Sequence, residues 1–429
     1  MIRVPTLGIL FCLMVTALGC GGPAGFRPIE PDKVLFWDRQ TVENADLLHG
    51  IVDQFNAGRE GLPVEAQYSG GYSEIYRKVT TSIQARALPA MAVAYQSMTV
   101  EYIQAGAVVP LDSFISDPEV GLSSEELDDF FPVVLETNRF SEFGGQMCSF
   151  PFCKSVLMLY FNKRVLSEAG IDTAPATWHQ FLEQCRQVKS DTGKYAYAID
   201  VDASTFDGMI YSRGGDVIAG TETLFDSPAS LDALKLLETL AKEKLGYQIP
   251  PGSYDDRDAL AQDRIAFLFR SSSHQASVGR LMQGDMARWG IKAIPQADPS
   301  DPHTVLYGPN ICIFRTTPEQ ERISWQFVKA FTSPETTVRW SLGTGYLPIR
   351  KSAENHPEMK AFWKTWEYNR AAFDCLGFAR SEPNVAGWQE VRDLIENAQT
   401  AVLTGKRTAE QAAAELKGQA DAVLAEAGG

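Results

Sequence analysis

Histidine is scarce, with five residues among 429. His49, His179, His274, His303 and His356 are scattered, and none stands at the three-to-five spacing from another histidine or cysteine that zinc sites use. A metal site is therefore not expected, and no residue pattern calls for a cofactor. The chain also lacks a nucleophile elbow, a P-loop, a paired-cysteine zinc spacing and a helical His-Glu motif. Carboxylate pairs for glycoside hydrolysis meet only in the fold and leave no spacing to read, so an enzyme is left open but unsupported. Basic clusters are missing too. The formal charge is −15, which argues against nucleic acid and anionic lipid headgroups as partners, because both demand positive patches. Beyond the first twenty residues no run approaches eighteen consecutive apolar residues, so no later segment reads as a membrane span. No fixed-period repeat stands out.

What is present begins at the N-terminus. Arg3 precedes an apolar run from Leu7 to Leu18 that stops at Gly19-Cys20 and gives way to Gly21-Gly22-Pro23. The run is too short to span a bilayer and fits the core of a secretory signal. Cysteine after small residues resembles the bacterial lipoprotein signal, which implies cleavage after residue 19 and acylation of Cys20. Ala17 and Leu18 depart from the usual order of that pattern, and an ordinary cleaved signal is the alternative. Either way the mature protein is expected to be exported, and on the lipoprotein reading it is held at the cell envelope by lipid alone.

Seven cysteines become five once Cys12 leaves with the signal and Cys20 is acylated. Cys148 and Cys153 are close enough to close a small turn in an oxidising compartment. Cys185 falls on the apolar face of a predicted helix and Cys312 in an apolar strand, and with Cys375 the expectation is mostly free, buried thiols.

About four hundred residues exceed what one core usually serves, so two lobes are expected. Residues 20–32, rich in Gly, Pro and polar side chains, read as a flexible tether. Lys33 to Trp37 then reads as a strand, Ala45 to Asn56 as a helix and Pro63 to Tyr68 as a strand. A helix from Ser73 to Ala87, a strand from Ala90 to Tyr95 and a helix around Val100 to Ala105 continue the alternation, which implies an α/β fold. A second block opens after Gly144-Gly145, where Val156 to Phe161 reads as a strand buried on both faces. Thr177 with Gln180, and Thr408 with Gln411, are capping-box patterns at helix starts. Ser227-Pro228 starts a helix with a leucine stripe, and Gly246 stands where its C-terminal cap is expected. Tyr195 to Ile199, Ile265 to Phe269, Trp289 to Ile294 and Tyr307 to Phe314 are further strand candidates.

Several loops join small residues to hydroxyl or aromatic side chains at ends of strands or starts of helices. Ser69-Gly70-Gly71-Tyr72-Ser73 can present helix-start N–H groups, a ring face and a hydroxyl to an oxygen-rich ligand, or it can be a plain turn capped by Ser73. Ser271-Ser272-Ser273 is similar, with a solvated loop as its alternative. In Gly343-Thr344-Gly345-Tyr346-Leu347-Pro348-Ile349, two glycines and a proline fix an unusual backbone path just after a helix.

A helix followed by Gly-Tyr-Leu-Pro-Ile resembles the corresponding stretch of the extracellular solute-binding proteins that feed bacterial ABC importers. Phe36-Trp37-Asp38, the turn from Ala107 to Asp112, Pro151-Phe152 with Leu159 to Lys163, and Leu403 to Lys406 resemble further stretches of that family in the same order. The resemblance implies a two-lobed periplasmic-binding-protein fold (type II) with the ligand cleft between the lobes. The first lobe is expected over 33–145 with a return segment at 304–345, and the second over 150–300 with a C-terminal segment at 350–429. Nearest in likeness are the glycerol-3-phosphate-binding proteins. By that likeness Tyr72, Gln96, Ser155, Ser271, Gly308 and Tyr346 contact the ligand, and Arg380 binds an anionic or polar group.

Gln96 departs from the glutamate of those relatives. An expected tryptophan after Ile199 is missing, where Phe206 either replaces it or is a core aromatic. Nearby Asp200, Asp202 and Asp207 suit sugar hydroxyls better than phosphate, so a glycerol phosphate and a neutral sugar both stand. The implied function is capture and delivery by a monomer to the membrane permease of an ABC importer, without covalent chemistry. A lipoprotein sensor signalling to a receptor, or a secreted carbohydrate-active enzyme, are the alternatives.

Overall fold

The computed structural model describes residues 25–428. The signal expected over 1–19 and the acylation expected at Cys20 lie outside the described residues. Two mixed sheets, each covered by helices, form two lobes. In the first, Val34–Asp38 is buried along its whole length, with Val64–Tyr68 and Met91–Ala94 running parallel on either side of it. Asn310–Ile313 and Phe150–Pro151 extend this sheet antiparallel. The helices Glu43–Ala57 and Tyr72–Gln84 are the crossovers that parallel pairing requires. They bury Leu48, Ile51 and Val52, and Ile75 and Val79, against the sheet.

The second sheet is organised by Ser155–Asn162. Phe267–Ser271 pairs antiparallel along one edge, and Trp289–Ala293 and Thr304–Tyr307 share the other. Val156, Met158 and Tyr160 face one core while Leu157 and Leu159 face the other, so this apolar run is buried on both faces, as read from the sequence. Tyr197–Ile199 and Gly246–Gln248 continue outward in parallel. Trp388–Leu403 and Ala409–Ala427 close the chain against Pro228–Lys242. The capping boxes at Thr177 and Thr408 are both formed.

Five local expectations are corrected. The tether already joins the fold at Arg27, because Arg27–Pro28 pairs with Ala87–Leu88 while Phe26 and Ile29 pack on the first core. Gly246 does not cap the preceding helix. That helix ends at Lys242, Lys244 takes the positive φ of 54°, and Gly246 is a strand residue whose Cβ would lie 2.9 Å from the Tyr197 carbonyl oxygen. The run Tyr307 to Phe314 is two strands, one in each sheet, broken at Gly308-Pro309. The return to the first lobe therefore enters its sheet at Asn310, while Thr304–Tyr307 belongs to the second. The C-terminal segment likewise begins on the first lobe, where Arg350 donates to the Glu126 carbonyl at 2.7 Å and the Lys351 N–H to that of Asp129 at 2.7 Å.

Phe152 to Lys154 and Gly308-Pro309 carry the chain between the sheets and press against each other. Gly308 has φ 112°, and a Cβ there would lie 1.8 Å from the Cys153 carbonyl oxygen. Lys154, almost fully buried, donates its Nζ to the Gly308 carbonyl at 2.8 Å. All five described cysteines are free and buried, Cys148 and Cys153 included.

Candidate functional site

Binding sites in α/β sheets gather at the carboxyl ends of the strands, where backbone groups and loop side chains are left free. Both lobes follow this rule. Arg39 directly follows Val34–Asp38, Tyr95 directly follows Met91–Ala94, and Tyr72 opens the helix reached from Val64–Tyr68. From the second lobe, Asp200 and Asp202 follow Tyr197–Ile199, while Ser271 and Tyr307 end their strands and Ser155 begins its own. The register sets Tyr307 opposite Ser155 and Ser271 opposite Leu157, which brings these side chains to one end of the sheet. Together with Thr205, Arg270, Ser273, His274, Gly308 and Tyr346 they line one cavity of about 170 Å³.

Its first wall is aromatic and cationic. The Tyr72 and Tyr95 rings lie 4.4 Å apart between centroids, and the Arg39 guanidinium sits 4.4 Å over the Tyr72 ring. Such contacts hold a half-buried guanidinium without neutralising it. Tyr72 is the first helical residue and Gly71 the N-cap, with no side-chain cap, so Ser73 does not play the capping part that a plain turn would give it.

The opposite wall is a network of hydroxyls and ion pairs. Ser271 Oγ donates to Ser155 Oγ at 2.7 Å and is 2.9 Å from Ser273 Oγ. Asp202 accepts from the Thr205 N–H at 2.7 Å and its hydroxyl at 2.9 Å, and Thr205 is 2.9 Å from the Tyr307 hydroxyl. Arg270 donates to fully buried Asp256 through Nε at 2.6 Å and Nη2 at 3.1 Å, and it also pairs with Asp200. Burial is the largest influence on Asp200 and pushes its carboxyl up to about 7, against the opposing pull of Arg270. His274 is held down to about 3 by burial and by neighbouring arginines, so it is a neutral imidazole whose Nδ1 lies 3.2 Å from Arg257 Nη1.

Of the residues named from the sequence, Tyr72, Ser155, Ser271, Gly308 and Tyr346 share this lining. Gln96 and Arg380 do not. Gln96 is buried behind Tyr95 and donates to the Glu382 carbonyl at 3.4 Å. Arg380 is committed elsewhere, to the Asp216 carboxylate, to the Gly215 carbonyl at 2.9 Å and to the face of Tyr211 at 4.4 Å. Phe206 is fully buried in the second core. Asp207 is buried too, with neither carboxylate oxygen hydrogen-bonded to a described residue. Burial, with Glu382 adding to it, raises Asp207 well above the carboxylate range. Arg39, Tyr95, Arg270, His274 and Tyr307 were not picked out from the sequence. Arg39 and Tyr95 did carry a signal, since each immediately follows a buried strand that feeds a parallel crossover.

Among curated proteins, the chain is 22% identical over 400 residues to the sn-glycerol-3-phosphate-binding periplasmic protein UgpB of Escherichia coli (strain K12), covering 88% of this chain and 89% of that one. Among solved structures it matches the cyclic alpha-maltosyl-1,6-maltose binding protein from Arthrobacter globiformis, with TM-score 0.79, 19% identity, and 92% of this chain and 100% of that chain covered. It also matches UgpB from Mycobacterium tuberculosis in complex with glycerophosphocholine, with TM-score 0.80, 18% identity and coverage of 92% and 98%. These structural likenesses establish the shared two-lobed fold. The profile of the bacterial extracellular solute-binding proteins matches residues 50–369, which is most of the chain, and this protein belongs to that family.

Proposed function

We propose that this protein is the substrate-binding component of an ABC-type importer, and that it captures a carbohydrate or a glycerol-3-phosphate-type polyol phosphate and delivers it to a membrane permease. The observation that carries the reading is a cavity walled by both lobes at the ends of their strands, lined with hydroxyls, tyrosine rings and charged groups. Hydroxyl-rich ligands need such donors and acceptors together with apolar ring faces. A cavity of about 170 Å³ is small beside the roughly 300–1,000 Å³ of sites for drug-sized molecules, which favours a ligand of about one sugar unit. A ligand touching both walls stabilises the closed form by its differential affinity, and a permease can recognise that closed shape. The names of the relatives, one for glycerol-3-phosphate and one for a cyclic maltosyl-maltose, support the same two chemistries.

In this reading Tyr72, Ser155, Ser271, Tyr346 and the Gly308 backbone contact the ligand. Cys20 carries the lipid that holds the exported protein at the envelope, and Cys20→Ser then moves it from the membrane to the soluble fraction. Thermal unfolding of the mature domain against glycerol-3-phosphate, glycerophosphodiesters, maltose, trehalose and monosaccharides tests the function. A ligand that binds only the folded state adds about 2.7 kcal/mol at a hundredfold its Kd. Absence of a shift across the panel, or turnover of a glycan, refutes the reading.

A further inference from the structure

The charges around the cavity do not balance evenly. Arg270 is neutralised by Asp200 and Asp256. Asp202 is satisfied by Thr205 and Tyr307 and stands 3.9 Å from Arg392, while Arg392 itself is paired with Glu382. His274 is neutral. Arg39 alone among the charged groups of the lining has no opposite charge within 4 Å among the described residues. Its own neighbour in sequence, Asp38, is turned back into the strand end, accepting the Gln40 N–H at 2.6 Å. The guanidinium instead lies on the Tyr72 ring, beside Tyr95 and Tyr346.

A guanidinium is always charged, and its planar fork matches a carboxylate or a phosphate in two parallel hydrogen bonds. Leaving such a group half-buried and unpaired costs free energy unless something of opposite charge arrives. The helices beginning at Tyr72 and Gln96 also start at this wall without side-chain caps. Their positive ends add to the same field, although Glu74 in the first turn of one opposes it.

Resting on the proposed binding function, we propose that Arg39 is the anion anchor of the cleft and that the ligand is a small acidic polyol, its charged oxygens on Arg39 and its hydroxyls on the Ser155, Ser271 and Tyr307 wall. The anion-binding part expected of Arg380 passes to Arg39, because Arg380 is already paired with Asp216. The shared chemistry is an anionic oxygen pair on a hydroxylated chain or ring, supplied either by a phosphate ester or by a sugar acid.

Calorimetric titration of the mature domain with matched pairs separates these sources: glycerol-3-phosphate against glycerol, and galacturonate against galactose. The expected result is that the acidic member of one pair binds and its neutral partner binds at least about tenfold more weakly. Arg39→Gln then weakens the acidic ligand by about 10- to 100-fold, and Arg39→Lys, which keeps the charge but loses the fork, falls between. Unliganded thermal unfolding of both variants reports whether they are folded, and the lysine variant carries the test if the glutamine variant is not. Galactose or maltose binding while neither acid binds overturns this inference and leaves the proposed function standing. An acid whose affinity both variants keep within twofold also overturns it. Silence with all of these compounds overturns the inference and the proposed function together.

Discussion

Replacing Gly308 with alanine separates two costs that meet at the crossing between the lobes. With φ at 112°, an L-residue occupies a sparsely populated region, at about 1–3 kcal/mol. The added Cβ also lies 1.8 Å from the Cys153 carbonyl oxygen. Backbone carbonyl cannot rotate away as a side chain does, so the two crossings must part, and overpacking of this kind costs about 1–3 kcal/mol more. That displacement stretches the 2.8 Å bond from Lys154 Nζ to the Gly308 carbonyl. The total expected is about 2–6 kcal/mol, read from urea unfolding followed by tryptophan fluorescence. Gly144→Ala is the control, because Gly144 has φ 70° but no atom within 4 Å of an added Cβ. It carries the conformational cost alone, about 1–2 kcal/mol. Equal losses in the two variants would refute the argument that close approach of the crossings is what requires glycine at 308.

Three further outcomes are expected. Asp256→Ala removes the fully buried partner of Arg270 Nε and leaves Asp200 as its remaining ion pair, costing about 1.5–3 kcal/mol; a loss below about 1 kcal/mol in chemical denaturation would sink that view of the pair. Burial holds the Lys154 amine down to about 7 from 10.5, so the unfolded chain binds its proton more tightly. Relative to Lys154→Met the parent therefore gains stability as pH rises from about 7 to 10.5, by up to about 1.4 kcal/mol per pH unit, and parallel stability curves for the two proteins would contradict it. Burial also pushes the Cys148 thiol up to about 11 and those of Cys312 and Cys375 up to about 12. A chain expressed from Gly25 onward is expected to hide its thiols from Ellman's reagent when folded and to yield all five in denaturant without reductant; a yield of three would reveal a disulfide.

Local rules were legible in the sequence wherever the deciding contacts are local. Thr177 with Gln180 and Thr408 with Gln411 form their capping boxes because both partners sit within one turn. The apolar run at Val156 to Phe161 announced a strand buried on both faces because burial alone produces such a run. Gly246 misled because positive φ at Lys244 closed the helix earlier, and Tyr307 to Phe314 misled because apolar composition does not show that its two halves pair with different sheets. In the site, motif likeness placed five residues in one lining, yet it put the anion-binding role on Arg380. What removes Arg380 is Asp216, distant in sequence and adjacent only in the fold. Arg39 was overlooked for the converse reason, since an unpaired charge is recognised only when every neighbour is known.

Ser155 begins the strand that both cores share, and Ser271 ends the strand beside it. The second wall of the cavity is therefore an extension of the hydrophobic interior, and its serines cannot be moved without shifting the register of residues packed beneath them. Arg39 lies just past a strand end, where a side chain changes without repacking a core, whereas Tyr72 and Tyr95 at the neighbouring helix starts also pack on the first core. Engineering toward a new solute thus has its least disruptive route through Arg39, with the serine wall kept as the fixed half of the mould.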